Sequence, residues 1–381
     1  MNHAYQTYTG GVQFNVPDSS PEIEQLQQSY RARLAGALGQ SRPVAGVTSN
    51  TAPWELLCAA GYFPVLLSPA NGPAPFAAPY MEAGFDGRTR SIFDRLLSGE
   101  WSFLHTVVIP RTSEQEHKLF LYLREVARQE PSRKLPRTLL FNLLHAQSAE
   151  ARTYGLSRTR ELWKALGPAS MEELAKAIAD GNAARGALRA LLRLRADRLS
   201  GAEALPLLGA YYFMDRADYA RLAVRAADIM AARPAIPGPR VMIKGSMLDH
   251  PHLHRAIEGH GAVVAAEDDW WGSRAAGQDV STELGPLEAV FLKYYEDAPS
   301  PRVFPASVAD AWFLETASTV AGVVFYISPD DDVRGWDYPR QRSALDARGI
   351  PHLLLREDPA GGDVPPECHD RIEEFTTRLK G

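Results

Sequence analysis

The stretch RVMIKGSMLDHPHLHRAIEGHGAVVAAEDDWWGSR, Arg240 to Arg274, decides the fold. Val241, Met242 and Ile243 make a short apolar run that stops at Gly245-Ser246. Such a run, closed by glycine, reads as a strand buried on both faces. HPHLHRAIEGHG then carries helical spacing and ends on glycine, and AVVAAEDD is a second strand. Strand, helix, strand at this spacing is a βαβ unit, which makes the two strands parallel.

The same alternation extends in both directions. Downstream come helix VADAWFLETAS, strand GVVFYIS, helix YPRQRSALDARG, strand IPHLLLRED and a last helix over 367–379. Upstream, RPVAGVTSN, TAPWELLCAAGYFPVLLSP, SIFDRLLSGEW, HTVVIP, SEQEHKLFLYLREVARQ and LPRTLLFNLL alternate in the same way. Between the two blocks, residues 146–232 are almost continuously helical by pattern, with Ser170 and Glu173 as a capping box, and RPAIPGPR links them to the second block. The chain is therefore α/β, with two Rossmann-like parallel-sheet domains and a helical segment between or beside them. The expected boundaries are an N-terminal arm and helix over 1–40, a first α/β domain over 41–145, the helical segment over 146–235 and a second α/β domain over 236–381.

Composition narrows the function. The 381 residues are 45% hydrophobic and 23% charged, a globular profile long enough for two domains. A net charge of −5 lacks the basic footprint of a nucleic-acid binder. No run reaches the roughly 18 apolar residues of a membrane span. The polar start MNHAYQTYTGGVQFNVPDSS has no signal-peptide core, so a soluble, cytoplasmic protein is expected. Cys58 and Cys368 are the only cysteines. Two distant thiols cannot build a structural zinc site or hold an iron–sulfur cluster within one chain.

Candidate site residues gather after strands. The Gly245-Ser246 turn offers backbone N–H groups to a carbonyl, carboxylate or phosphate, or is a plain turn. No G-x-G-x-x-G or P-loop accompanies it. His250 and His254 have metal-ligand spacing beside His252 and His260, although a polar helix start explains them equally. In EDDWWGSR, Trp270 and Trp271 suit an acyl or adenine pocket, with Arg274 for an anion; a subunit interface is the alternative. In PRTSEQ, Thr112 or Ser113 suits a helix cap. Arg189, Arg193, Arg195 and Arg198 read as a solvated or salt-bridged helix face. Asp330, Asp331 and Asp332 end a strand with three adjacent like charges, as a metal site, an acid/base site or a solvated turn would.

Several stretches, in order over roughly residues 40–375, resemble the benzoyl-CoA reductase / 2-hydroxyacyl-CoA dehydratase family. TAPWELLCAAGYFPVLLSP is similar to its P-x-E-L-[I/L]-x-A-A-G-x-x-P-V opening, and TVVIPRTSEQEHKLFLYL to its strand followed by T-C-D-x-x-x-K-L. EELAKAIADGNAARGALRALLRLRADRLSG matches its long helix. The Arg240–Arg274 stretch and GVVFYISPDDDVRGWDYPRQRSALDARGIPHLLLRED match its two late blocks. The resemblance implies two α/β domains around a [4Fe–4S] cluster, a homologous partner subunit, an ATP-dependent activator and an acyl-CoA thioester substrate. It also implies cluster cysteines where this chain has Asp86, Ser113 and Asp331. Those hard oxygen ligands do not suit a cubane. The expectation is a chain with no cofactor of its own, the cluster being carried by a cysteine-bearing homologous subunit. Glu55 and Ser246 stand as catalytic candidates, with Gly245, Trp270, Trp271 and Arg274 for substrate. Two alternatives stay open. One is a non-catalytic scaffold whose Trp54, Trp270, Trp271 and Trp336 anchor an interface. The other is a metal- or carboxylate-dependent enzyme reusing Asp86, Glu114 and Asp331.

Overall fold

The computed structural model describes residues 20–68, 72–82, 84–269, 271–297, 300, 302–356 and 364–381. Two four-stranded parallel sheets organise it. The first consists of β1 (Val44–Val47), β2 (Phe63–Leu66), β3 (Leu104–Pro110) and β4 (Arg137–Phe141), in the order β2-β1-β3-β4. The second consists of β5 (Arg240–Gly245), β6 (Val263–Asp268), β7 (Gly322–Tyr326) and β8 (His352–Leu355), in the order β6-β5-β7-β8. The two topologies are equivalent, so the expected pair of Rossmann-like domains is present.

In each sheet the chain steps outward from its first strand, then returns to the other side of it. That reversal falls between β1 and β3, and again between β5 and β7. The connecting helices diverge there and leave a crevice beyond the carboxyl ends of the strands, where open α/β sheets bind ligands.

The helices follow from their sequence signals. Those preceding the helical segment are α1 (Pro21–Ala32), α2 (Trp54–Ala59), α3 (Gly87–Ser98) and α4 (Glu114–Gln129). The segment itself holds α5 (Ala149–Leu166), α6 (Met171–Leu194), α7 (Gly201–Gly209) and α8 (Arg216–Ala231). Then come α9 (His252–Gly259), α10 (Pro286–Glu296), α11 (Ala306–Ala317), α12 (Asp332–Asp346) and α13 (Pro366–Lys380). Ser170 and Glu173 form the expected capping box at α6, and Ser113 with Glu116 forms another at α4. Both satisfy backbone N–H groups that a helix start leaves open.

The packing does not respect the linear boundary near residue 236. The helical segment shares one core with the first sheet, and residues 271–295 join that core although they follow β6. Trp271 is fully buried among Tyr30, Tyr212 and Phe213, with its ring 4.8 Å from that of Tyr212. Tyr294 of α10 meets Phe141 of β4 at 6.3 Å. The second sheet keeps two smaller cores, one on each face. Periodicity assigns elements but not partners, so a large apolar side chain in a loop can be claimed by either domain.

Gly245 closes β5 with φ +144°, and a Cβ there would lie 1.7 Å from the Tyr326 carbonyl oxygen. Both the torsion and the clash require glycine. Gly245→Ala should cost more than about 3 kcal/mol of stability, as read by urea unfolding. Gly335→Ala, inside α12 where a Cβ meets nothing within 4 Å, should be neutral or gain up to about 1 kcal/mol.

Candidate functional site

Loops from the carboxyl ends of both sheets meet. The Gly87 N–H donates to Asp330 Oδ2 at 2.7 Å, joining the start of α3 in the first domain to the loop after β7 in the second. Gln115 Nε2 donates to the Gly84 carbonyl at 3.2 Å, bringing the start of α4 to the segment that leads into α3. The segments carrying Asp86, Ser113 and Asp331 are therefore neighbours, as their resemblance to three ligand loops implies.

Each of these residues has a local task. Asp86 caps α3, accepting from Thr89 N and Thr89 Oγ1, both at 2.7 Å. Ser113 Oγ caps α4, accepting from Glu116 N at 3.2 Å. Asp331 caps α12 through Arg334 N at 3.2 Å; its second oxygen accepts from Ser246 Oγ at 2.7 Å and faces Arg334 Nε at 3.3 Å. Aspartate and serine are preferred caps because a short oxygen reaches the open N–H groups. A cubane needs soft thiolates. Cys58 packs against the first core, its thiol pushed up to about 12 by burial, and Cys368 is buried in the second. Neither belongs to these loops. Among the described residues, no group of three or more His, Cys, Asp or Glu side chains is arranged to share a metal ion. The donor set does not fit an iron–sulfur cluster.

At the second switch point, Ser246 joins β5 to β7: its Oγ also accepts from Ser328 N at 3.0 Å. The turn is not itself a helix start, since α9 begins only at His252. His254 is fully buried and pairs with Glu267, while His250 stacks against His252 at 4.8 Å. The histidine spacing thus serves packing and a buried hydrogen bond. Arg274 pairs with Asp268 at 3.2 Å and lies over Trp312 at 5.4 Å. Trp270 lies outside the described residues.

Two expectations shift. Trp271 is a core residue rather than a pocket wall, because its indole fills the first core. Glu55 is sealed away from solvent: Arg185 Nη1 donates to Oε1 at 2.6 Å and Tyr294 Oη to Oε2 at 2.8 Å. Both oxygens are occupied, and the guanidinium holds its carboxyl below the usual range against the opposing effect of burial. The structure gives Glu55 a structural ion pair and no contact with Ser246. The basic face of α6 is, as expected, largely solvated or salt-bridged, Arg195 being its buried member. Arg195 forms a buried pair with Glu267, and Arg189 reaches Asp279 at 2.9 Å. Of the other candidate anchors, Trp54 is buried and Trp336 is 85% exposed.

Sequence reading passed over Lys244, Arg33 and Asp249. Lys244, charged inside an apolar strand, donates to Asp268 at 2.5 Å. Arg33 Nη1 contacts Ser68 Oγ at 2.6 Å and Asp249 Oδ2 at 2.5 Å, clasping the end of β2 to the loop after β5. The charge inside VMIKG was a legible signal; nothing local marks Arg33.

A family model described as 2-hydroxyglutaryl-CoA dehydratase, D-component, matches residues 50–379. The chain belongs to the 2-hydroxyglutaryl-CoA dehydratase D-component family. Among relatives, the (R)-2-hydroxyglutaryl-CoA dehydratase subunit beta of Acidaminococcus fermentans is 22% identical over 376 residues, covering 94% of this chain and 98% of the relative. The (R)-phenyllactyl-CoA dehydratase beta subunit of Clostridium sporogenes is 22% identical over 151 residues, 39% of this chain and 40% of that protein. The dehydratase family match covers all three loops, the whole second sheet and, in the first sheet, β2, β3 and β4. No described helix is long and apolar enough to cross a membrane.

Two predictions follow from the burial of these groups. Glu55→Gln removes the buried charge that balances Arg185, leaving it Asn182 and the more distant Asp279 at 3.6 Å, and urea unfolding should register a loss of about 3 kcal/mol. His145, whose Nδ1 has no hydrogen-bond partner, is pushed down to about 4 by burial; Asp269 is pushed up to about 6 by burial. The folded state favours the neutral form of each. Wild type should therefore lose stability relative to His145→Gln as pH falls from about 6.5 to 4, and relative to Asp269→Asn as pH rises from about 4 to 6. Parallel urea titrations across that range check both slopes.

Proposed function

We propose that this chain is a cluster-free subunit of a 2-hydroxyacyl-CoA dehydratase-type system, working on acyl-CoA thioesters with a homologous cysteine-bearing subunit. The reading is supported by oxygen side chains, each engaged as a helix cap, at the three loop positions where the resemblance implies cysteines, in a chain that matches its family from residue 50 to 379. Both relatives named above are beta subunits, which supports a partner chain. Losing thiolates while keeping the fold requires only local changes, because Asp and Ser are good caps.

In this reading the chain's own residues bind and orient. The Gly245-Ser246 turn fixes β5 against β7, and Asp331 is held between Ser246 and Arg334. Arg274, paired with Asp268 at 3.2 Å, would have to share or exchange that carboxylate to take an anionic group of the substrate. Electron delivery, by an ATP-dependent activator, belongs to the partner subunit.

The test is anaerobic purification of the full chain, alone and co-expressed with a cysteine-bearing homologue. Alone, it should carry less than one iron and one sulfide per chain, and it should co-purify with the homologue. Iron and sulfide near four per chain in the isolated protein would refute the cluster-free assignment. A stable monomer with full dehydratase activity would refute the heteromeric one.

A further inference from the structure

The histidine run ends on a residue that the candidate site leaves unused. His260 closes the carboxyl end of α9, and its ring meets that of His369, in the first turns of α13 and 109 residues later. His260 Nε2 and His369 Nδ1 stand 3.2 Å apart, with ring centroids at 5.5 Å and planes inclined by 58°. Both residues are half-buried.

This contact differs from those of the other histidines. Among the described residues, His117, His254 and His352 face a carboxylate, and His250 stacks on His252. His260 and His369 face each other, nitrogen to nitrogen. Two imidazoles so placed can share a proton in an N–H···N bond, or each can turn a lone pair toward one ion. The separation suits the second arrangement as well as the first. Metal–nitrogen bonds of about 2.0–2.1 Å across a 3.2 Å gap meet at about 100°, close to the tetrahedral angle. Moving the shared proton to the far nitrogen of its own ring frees the second lone pair. Both rings then stay neutral, the form in which imidazole binds metals.

The surroundings hold the pair in place. Lys380 Nζ donates to the His260 backbone carbonyl at 2.9 Å, which fixes the residue without using its ring. Cys368, Ile372 and Phe375 seat α13 in the second core together with Leu253, Ala256 and Ile257 of α9.

We infer that His260 and His369 form a two-histidine site for a borderline divalent ion, zinc or nickel, which fastens the last helix to α9. Imidazole donors favour such ions over magnesium and calcium, which take oxygen ligands. No third His, Cys, Asp or Glu joins them among the described residues, so water completes the coordination. The site is separate from the loops of Asp86, Ser113 and Asp331 and does not rest on the acyl-CoA reading.

Calorimetry on the metal-free full chain at pH 7.5 tests this with zinc chloride and nickel chloride. One ion should bind per chain. His260→Gln and His369→Gln should each weaken that binding at least about tenfold, the low end of what losing a supporting group costs a metal site. The double variant should lose far less than the product of the two losses, because both act on one ion. His252→Gln, in the other histidine cluster, should leave binding unmoved. Amide exchange of the wild type gives a second readout: one equivalent of zinc should slow exchange in α9 and α13 and leave α3 and α4 unchanged. Several weak equivalents with no slowing in α9 and α13 mean an adventitious ion only and overturn the site. Binding that both variants leave unmoved, binding that His252→Gln removes, or no binding of either ion overturns it equally.

Discussion

Three consecutive acids end β6, and the structure depends on how they are separated. Glu267, Asp268 and Asp269 are all buried, where adjacent like charges repel strongly unless each finds its own partners. Glu267 takes Arg195 from the end of α6 and His254 from α9. Asp268 takes Lys244 and Arg274. Asp269 takes backbone N–H groups instead, from Leu248 at 3.3 Å, Trp271 at 3.0 Å and Gly272. One acid thus faces the helical segment, one faces the neighbouring strand, and one shapes the turn that sends Trp271 into the first core. That turn fixes the second sheet relative to the first.

Two further contacts complete the joint. Arg33 clasps Asp249, whose carboxyl is held well below the usual range by that guanidinium, and the Gly87 N–H reaches Asp330. With these in place the carboxyl ends of both sheets face one region. A site there can draw on both domains, as Asp330 of the second accepting from the Gly87 N–H of the first illustrates.

The loop chemistry bears on how such a subunit can change role. A thiolate ligand at the start of a helix is replaceable by aspartate or serine with little structural penalty, because the helix gains a cap, worth about 1 kcal/mol. The three loops can then keep their shape without a cluster to organise them. Glu116 contributes to the same end: it accepts from Thr48 Oγ1 at 2.6 Å and Thr112 N at 3.0 Å, tying β1 to β3 at the first switch point.

The sequence by itself determined the two parallel sheets, the helical segment, the Ser113 and Ser170 caps and the family, because these depend on local periodicity, capping oxygens and short ordered motifs. It also marked Gly245, where only glycine tolerates the backbone, and it brought Asp86, Ser113 and Asp331 together through the family pattern. Only the tertiary structure decided which acids are paired and which side chains are open. Glu55 and Trp271 looked available in sequence and are buried; Lys244 looked like an ordinary strand residue and spends its charge on Asp268. The physical reason is the same in each case. Burial and ion pairing depend on residues far away in the chain, as in Glu55 with Arg185 and Asp249 with Arg33, and no local pattern encodes a partner at that separation.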